Sequence, residues 1–170
     1  MELLKFSTGN AKLGPRLIFS LPAGYSCPHA GVCKTMADRT TGQIYDLPQM
    51  NGTNWQDYRC FAAMAEVRPN VREARWHNWD LIKKTLYTEE MPVHGLADLI
   101  STSIDAHQPK RKDPYTICRV HESGDFWAEQ YFKAWMLAAR KHPEIRFYAY
   151  TKSLGMWYEH QKLIPNNFFL

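Results

Sequence analysis

The residues of this chain that could do chemistry are its four cysteines, the polar run around His121 and the lysine at 152. Cys27 and Cys33 stand in C-x5-C spacing in the stretch YSCPHAGVCKTM, residues 25–36, with Pro28, His29 and Gly31 between them. Two thiols so placed can form a disulfide, bind a metal, or fill a core as small hydrophobes. The N-terminal MELLKFSTGNAKLG carries no apolar stretch of secretory type, and nowhere do about 18 uncharged apolar residues run together. The chain therefore reads as soluble and unsecreted, in a reducing compartment where stable disulfides are rare. Metal binding and core filling remain. Cys27, Cys33 and Cys60 fall in or beside loops at element ends, where ligands can converge without interrupting a ladder. Cys118 lies mid-strand, where a buried cysteine more often serves as a hydrophobe.

RVHESGDF, residues 119–126, gathers Arg119, His121, Glu122, Ser123 and Asp125 at a strand end. Alternation along that strand puts Arg119, His121 and Ser123 on one face and Cys118, Val120 and Glu122 on the other. Ser123 or Asp125 is expected to cap the following helix, with Gly124 easing the turn. A cap leaves Arg119 and His121 unexplained, because polar groups on a covered sheet face need a partner or a ligand. AYTKS, residues 149–153, repeats the pattern: Tyr148, Tyr150 and Lys152 alternate on one face. Lys152 is either a solvated strand end or an anion or substrate contact beside His121 and Asp125. The C-x5-C spacing is neither the C-x2-C of structural zinc nor the C-x3-C-x2-C run of radical-SAM enzymes.

These residues need elements to position them. LIFSL, 17–21, is an apolar, β-branched run bounded by Pro15 and PAG, and reads as a strand that leads into the cysteine loop. MADRTTGQIYDL, 36–47, suggests a hairpin about Thr41-Gly42, and PQMNGTNWQD, 48–57, a loop. YRCFAAMAEV, 58–67, predicts a short helix ended by Pro69. In NVREARWHNWDLIKKTLY, 70–87, Val71, Trp79, Ile82 and Leu86 share one side, with Arg72, Glu73, Lys83 and Lys84 elsewhere. GLADLISTSIDAH, 95–107, predicts a third helix through Leu96, Leu99, Ile100 and Ile104. YTICRV, 115–120, and IRFYAYT, 145–151, read as strands around the helix FWAEQYFKAWMLAARKH, 126–142, whose Trp127, Tyr131, Trp135 and Ala138 face a core. That is a right-handed βαβ unit with parallel strands, and ligands of such sheets lie at the carboxyl ends of the strands. IPNNFFL, 164–170, opens like a further strand.

With 170 residues, 45% hydrophobic and 14% aromatic, the chain suffices for one domain with a real core. The net charge is +4 and the pI near 8.9. Much of the excess lies in PKRKD, 109–113, which reads as a solvated loop rather than a nucleic-acid footprint. Three function classes stand: a redox metal protein, a structural zinc module that binds nucleic acid or a virion partner, and a hydrolase or phosphate site with all thiols in the core. No Gly-rich phosphate loop or G-x-S-x-G elbow supports the third.

KFSTGNAKLG, FSLPAGYSCPHAGVC, YRCFAAMAE, RVHESGDF and FYAYTKSL, in this order, resemble the "gene product 88" family of tailed phages, marine ones included. The resemblance covers about residues 5 to 154. It implies an α/β domain over residues 1–170, a small mixed or parallel sheet with a βαβ unit, resembling a partial TIM barrel of the radical-SAM kind. Many relatives continue past residue 170, so a strand or two beyond it is expected. The resemblance further implies a phage-encoded [4Fe-4S] protein in the cytoplasm of the infected host, with Cys27, Cys33 and Cys60 as ligands. Cys118, the remaining cysteine, is the simplest fourth ligand; His121 and an open iron are the alternatives. Arg119, His121, Ser123, Gly124 and Asp125 form the implied site motif, and Lys152 joins them as a substrate contact. The partner is then a redox protein or a small molecule, with S-adenosylmethionine a candidate co-substrate, and no membrane is involved.

Overall fold

The computed structural model describes all residues except 1, 11, 32, 34 and 47–58. The predicted loop at 48–57 and the start of the predicted helix at 58 lie outside the described residues. Five strands form one sheet in the order β1 (Ser7–Asn10), β2 (Gly14–Phe19), β5 (Ile117–Val120), β6 (Arg146–Ala149), β7 (Phe168–Phe169), and β3 (Thr35–Ala37) pairs with β4 (Ile44–Asp46) in a second. β1 runs antiparallel to β2, and every other pairing in the large sheet is parallel. The fold is thus mixed α/β with a mostly parallel sheet.

The βαβ unit is present as expected: α4 (Glu129–Lys141) connects β5 to β6, with Cys118 opposite Phe147 and Val120 opposite Ala149. Alternation gives the sheet one apolar face of Leu17, Phe19, Cys118, Val120, Phe147 and Ala149, all within 1% of full burial. α4 covers it with Tyr131, Trp135 and Ala138, and Trp135 meets the rings of Phe19 at 5.1 Å and Phe147 at 6.5 Å. α3 (Pro92–Ala106) packs on α4 and on α2 (Pro69–Thr88), burying Leu96, Ile100 and Ile104. The opposite face carries Arg16, Arg119 and Tyr148, all half-buried, and the exposed Tyr150. Arg16 Nη1 donates to the Tyr148 hydroxyl at 3.2 Å, and the Arg119 guanidinium stands 5.8 Å from the Tyr150 ring. This face accommodates charge because its β5 and β6 side chains stay partly open to solvent; residues of α2 line a cavity with Ile18 and Ser20 on the β2 side.

Three expectations need correction. The strand expected at 17–21 is β2, Gly14–Phe19, because the chain reverses from β1 on glycines: Gly9 has φ 90°, and a Cβ there would fall 2.1 Å from the Gly14 carbonyl oxygen. Leu21 has left the ladder and donates its N–H to the Ser123 carbonyl at 2.9 Å. Within 58–67, only α1 (Phe61–Met64) and a single 3-10 turn at Ala65–Val67 form among the described residues, and Pro69 opens α2 at its first turn, where its missing N–H is no loss. Arg72, expected away from the core, is buried at 7% exposure. Its guanidinium donates to the carbonyls of Arg39, Thr40, Glu66 and Val67 at 2.7–3.3 Å, holding the β3–β4 hairpin and the 3-10 turn onto α2. The hairpin itself matches the sequence: Gly42 has φ 74°, and the Asp38 carboxylate accepts from the N–H groups of Thr40 and Thr41.

Candidate functional site

The cysteine loop winds in steps of three. Cys27 N–H donates to the Gly24 carbonyl, Ala30 N–H to Cys27 and Cys33 N–H to Ala30, each at 3.2 Å. Turns of three residues bring every third side chain to the same side, so a C-x5-C spacing places both thiols on one wall two turns apart. Cys27, Ala30 and Cys33 line one cavity of about 360 Å³. Cys60 reaches it from the start of α1, its N–H held by the Thr35 hydroxyl at 2.9 Å. The far wall is the tip of β5 and β6: Arg119, His121, Glu122, Ser123, Asp125 and Lys152.

The loop and the tips are pinned together by hydrogen bonds to main-chain carbonyls. Asp125 N–H donates to the Ser26 carbonyl at 3.1 Å, Leu21 N–H to Ser123 at 2.9 Å, and Lys152 Nζ reaches the Ala30 carbonyl at 3.4 Å. Gly124, at φ 90°, allows the approach: a Cβ there would lie 2.6 Å from Ser26 Oγ and 2.7 Å from Leu21 Cβ. A contact that sequence reading missed braces the other side of the loop. Glu66, fully buried, accepts from Ala23 N–H and from the Arg75 guanidinium, each at 2.8 Å. An acidic residue inside the apolar run AAMAEV, with arginines six and nine residues later, was the available signal.

The residues of the RVHESGDF run serve unlike purposes. Neither Ser123 nor Asp125 caps α4, whose N-cap is Ala128 with no side-chain bond. Asp125, 4% exposed, instead accepts from Phe126 N–H at 2.7 Å, from the Thr151 hydroxyl and from Lys152 N–H at 2.8 Å, joining one strand tip to the next. His121 departs from the expected alternation with Arg119. Its φ of 68° turns the ring toward the core, where Nε2 lies 2.7 Å from the Tyr131 hydroxyl, between the rings of Phe126 and Phe19. Burial pushes its pKa down to about 3, so it is neutral.

Cys118 is not brought to the other cysteines. It lies fully buried on the α4 side of β5, as its place between Ile117 and Arg119 dictates, and burial drives its thiol pKa far up. Burial also raises the Cys27 and Cys33 thiols, with Asp125 adding to the first and Cys60 to both, while Lys152 opposes the rise at Cys33. All four cysteines are free thiols. Among the described residues, no three His, Cys, Asp or Glu side chains stand close enough to share a single metal ion.

A sequence profile of the Gene product 88 family matches residues 2–170. The chain belongs to that family. Among curated proteins it is similar to the Gene 88 protein of Mycobacterium phage L5, 27% identical over 163 residues, covering 93% of this chain and 57% of that protein. The Gene 88 protein of Mycobacterium phage D29 is 27% identical over 150 residues, covering 85% of this chain and 50% of its own length. The chain thus spans about half the length of these relatives. No solved structure matches it. No helix among the described residues is long and apolar enough to cross a membrane.

Proposed function

We propose that this family member is a phage-encoded [4Fe-4S] protein in which Cys27, Cys33 and Cys60 hold the cluster at the strand tips of a sheet read as part of a radical-SAM-like barrel. The observation that carries this reading is that three thiols, two from one loop and the third from the start of α1, line one cavity at the carboxyl ends of parallel strands. When bound, the cluster supplies one-electron chemistry, or a Lewis-acidic iron where one iron lacks a protein thiolate. Cys118 faces the helices on the other side of β5, which supports three protein thiolates and an open position rather than a fully ligated carrier. The open-position logic is that of catalytic against structural zinc. The chain's own residues then form the substrate side: Arg119, Ser123 and Lys152 bind, and Asp125 holds the two strand tips in register. S-adenosylmethionine is the co-substrate that the barrel reading brings with it, and the host cytoplasm is the compartment in which such a protein would act.

The test is anaerobic purification with iron, sulfide and zinc analysis and a visible spectrum. About four irons per chain with broad visible absorption are expected. Cys27→Ser, Cys33→Ser and Cys60→Ser should each lose most of the iron, whereas Cys118→Ala should retain it. A colourless preparation with one stoichiometric zinc, even after anaerobic reconstitution, would establish a structural zinc module instead. Iron lost on Cys118→Ala would restore the fourth thiolate and the carrier reading.

A further inference from the structure

Among the described residues, three of the buried side-chain polar atoms without a hydrogen-bond partner belong to one strand tip, within five residues of sequence: Arg119 Nε, His121 Nδ1 and Ser123 Oγ. All three residues line the cysteine cavity, and His121 and Ser123 are only 3% and 2% exposed. Native proteins leave few buried polar groups unpaired. A run of them on one cavity wall calls for a partner from outside the chain.

The protons tell what kind of partner. Arg119 Nε is a donor at any relevant pH. The Tyr131 hydroxyl is fully buried, and His121 Nε2, at 2.7 Å, is its side-chain hydrogen-bond partner among the described residues. A phenolic proton left unshared there would be a further buried orphan, so it goes to His121 Nε2. A neutral imidazole that accepts at Nε2 carries its own proton on Nδ1. The tip therefore offers N–H from Arg119, N–H from His121 and O–H from Ser123, with the Lys152 ammonium on the same cavity wall. Of the two carboxylates there, Asp125 is occupied by three donors, and Glu122 is shared with a neighbouring cavity between α2 and β2. We propose that the cavity binds an oxyanion, the carboxylate or phosphate group of a small molecule, on Arg119, His121 and Ser123 beside the cysteines. This rests on reading the cavity as the functional site, and not on which metal group occupies it.

Inorganic phosphate and acetate serve as probes, titrated calorimetrically into the anaerobically purified chain at fixed ionic strength in chloride, with iron measured on the same samples. Saturable binding of one probe is expected, and which one binds identifies the ligand's head group. Arg119→Gln and Ser123→Ala should weaken it at least tenfold, Glu122→Gln should tighten it, and Arg16→Gln, on the same sheet face outside the cavity, should leave it unchanged. Without anion, Ser123→Ala should melt no lower than the parent, since it removes an unpaired hydroxyl. Anion binding by a parent chain that holds no iron even after anaerobic reconstitution upholds this site while the cluster reading falls. Binding of neither probe, or binding indifferent to Arg119→Gln, would mean that water fills the tip and would overturn the proposal. Weaker binding in Glu122→Gln would overturn it in favour of a cationic ligand.

Discussion

Replacing Asp125 by alanine is expected to unfasten the strand tips and not merely to silence a binding group. The carboxylate is nearly inaccessible and accepts from two backbone N–H groups, of Phe126 and Lys152, and from the Thr151 hydroxyl. The hydroxyl can rotate to another acceptor, but the two N–H groups are fixed by the chain. Left unpaired where water cannot reach, each costs about 1–3 kcal/mol, so the variant should lose roughly 2–6 kcal/mol, a large part of the about 5–15 kcal/mol that stabilises a typical domain. At roughly 2–4 °C per kcal/mol for a chain of this size, the melting temperature should fall by roughly 4–24 °C. Asp125→Asn is the graded control. Its amide oxygen can replace Oδ1, but its NH₂ then meets the Lys152 N–H donor to donor, so roughly half of the loss is expected. Circular dichroism melts and urea midpoints, with iron content determined on each sample, measure both variants. An Asp125→Ala protein within about 0.5 kcal/mol of the parent would refute the reasoning, because no network worth the name could then lie at the tip.

Arg75→Met should be more damaging than a surface substitution, by about 3–5 kcal/mol in urea midpoints, because it strands the buried Glu66 carboxylate. Burial already raises the Glu66 pKa, so the deficit should be smaller at about pH 5 than at about pH 8. His121 supplies a second pH effect: its folded pKa, near 3, lies below the unfolded value of 6.5, so the unfolded chain binds the extra proton. Its contribution to stability is complete above about pH 6.5 and declines by up to about 1.4 kcal/mol per pH unit as the pH falls toward 3; His121→Gln should remove that slope from a stability–pH series. Gly124→Ala should lose more than about 1–2 kcal/mol in thermal melts, from the positive φ alone, with the contacts to Ser26 and Leu21 adding to it. An unchanged melt would mean that the two blocks do not approach so closely.

Much of the fold was legible because it follows from side-chain periodicity. The alternation of ICRV and RFYA around an apolar helix face specifies a parallel βαβ unit whatever its surroundings, and Thr41-Gly42 specifies its own hairpin. What was illegible depends on partners that periodicity does not encode. Arg72 and Arg75 look like solvated charges on an amphipathic helix, and their burial follows only once the carbonyls of residues 39, 40, 62, 66 and 67 are seen to converge on them. Asp125 carries the signature of a helix cap, yet α4 begins four residues later, and its carboxylate is captured by the neighbouring strand tip instead. The reversal at His121 was hidden for a similar reason: a positive φ at a residue other than glycine is uncommon, and nothing local to His121 announces it.

The blocks that look like separate motifs along the sequence are one structure held by hydrogen bonds to main-chain carbonyls. Ser26 of the cysteine loop accepts from Asp125, Leu21 donates to Ser123, and Lys152 reaches Ala30, so each block supplies a partner to another. Gly124 is the position that lets them meet, and Asp125 and Glu66 anchor the arrangement at opposite ends, one on β6 and one on α2 through Arg75. The wall bearing Cys27 and Cys33 is therefore placed by the same loop that presents Arg119, His121 and Ser123. A change at the strand tip must then shift the thiols as well as the donors, and a group bound by the thiols must in turn hold the donors in place. If the cavity takes both a cluster and an oxyanion, binding of the two should be coupled, each tightening the other by the same factor. That reciprocity can be measured from either side, as anion affinity with and without iron, or as iron retention against a chelator with and without the anion.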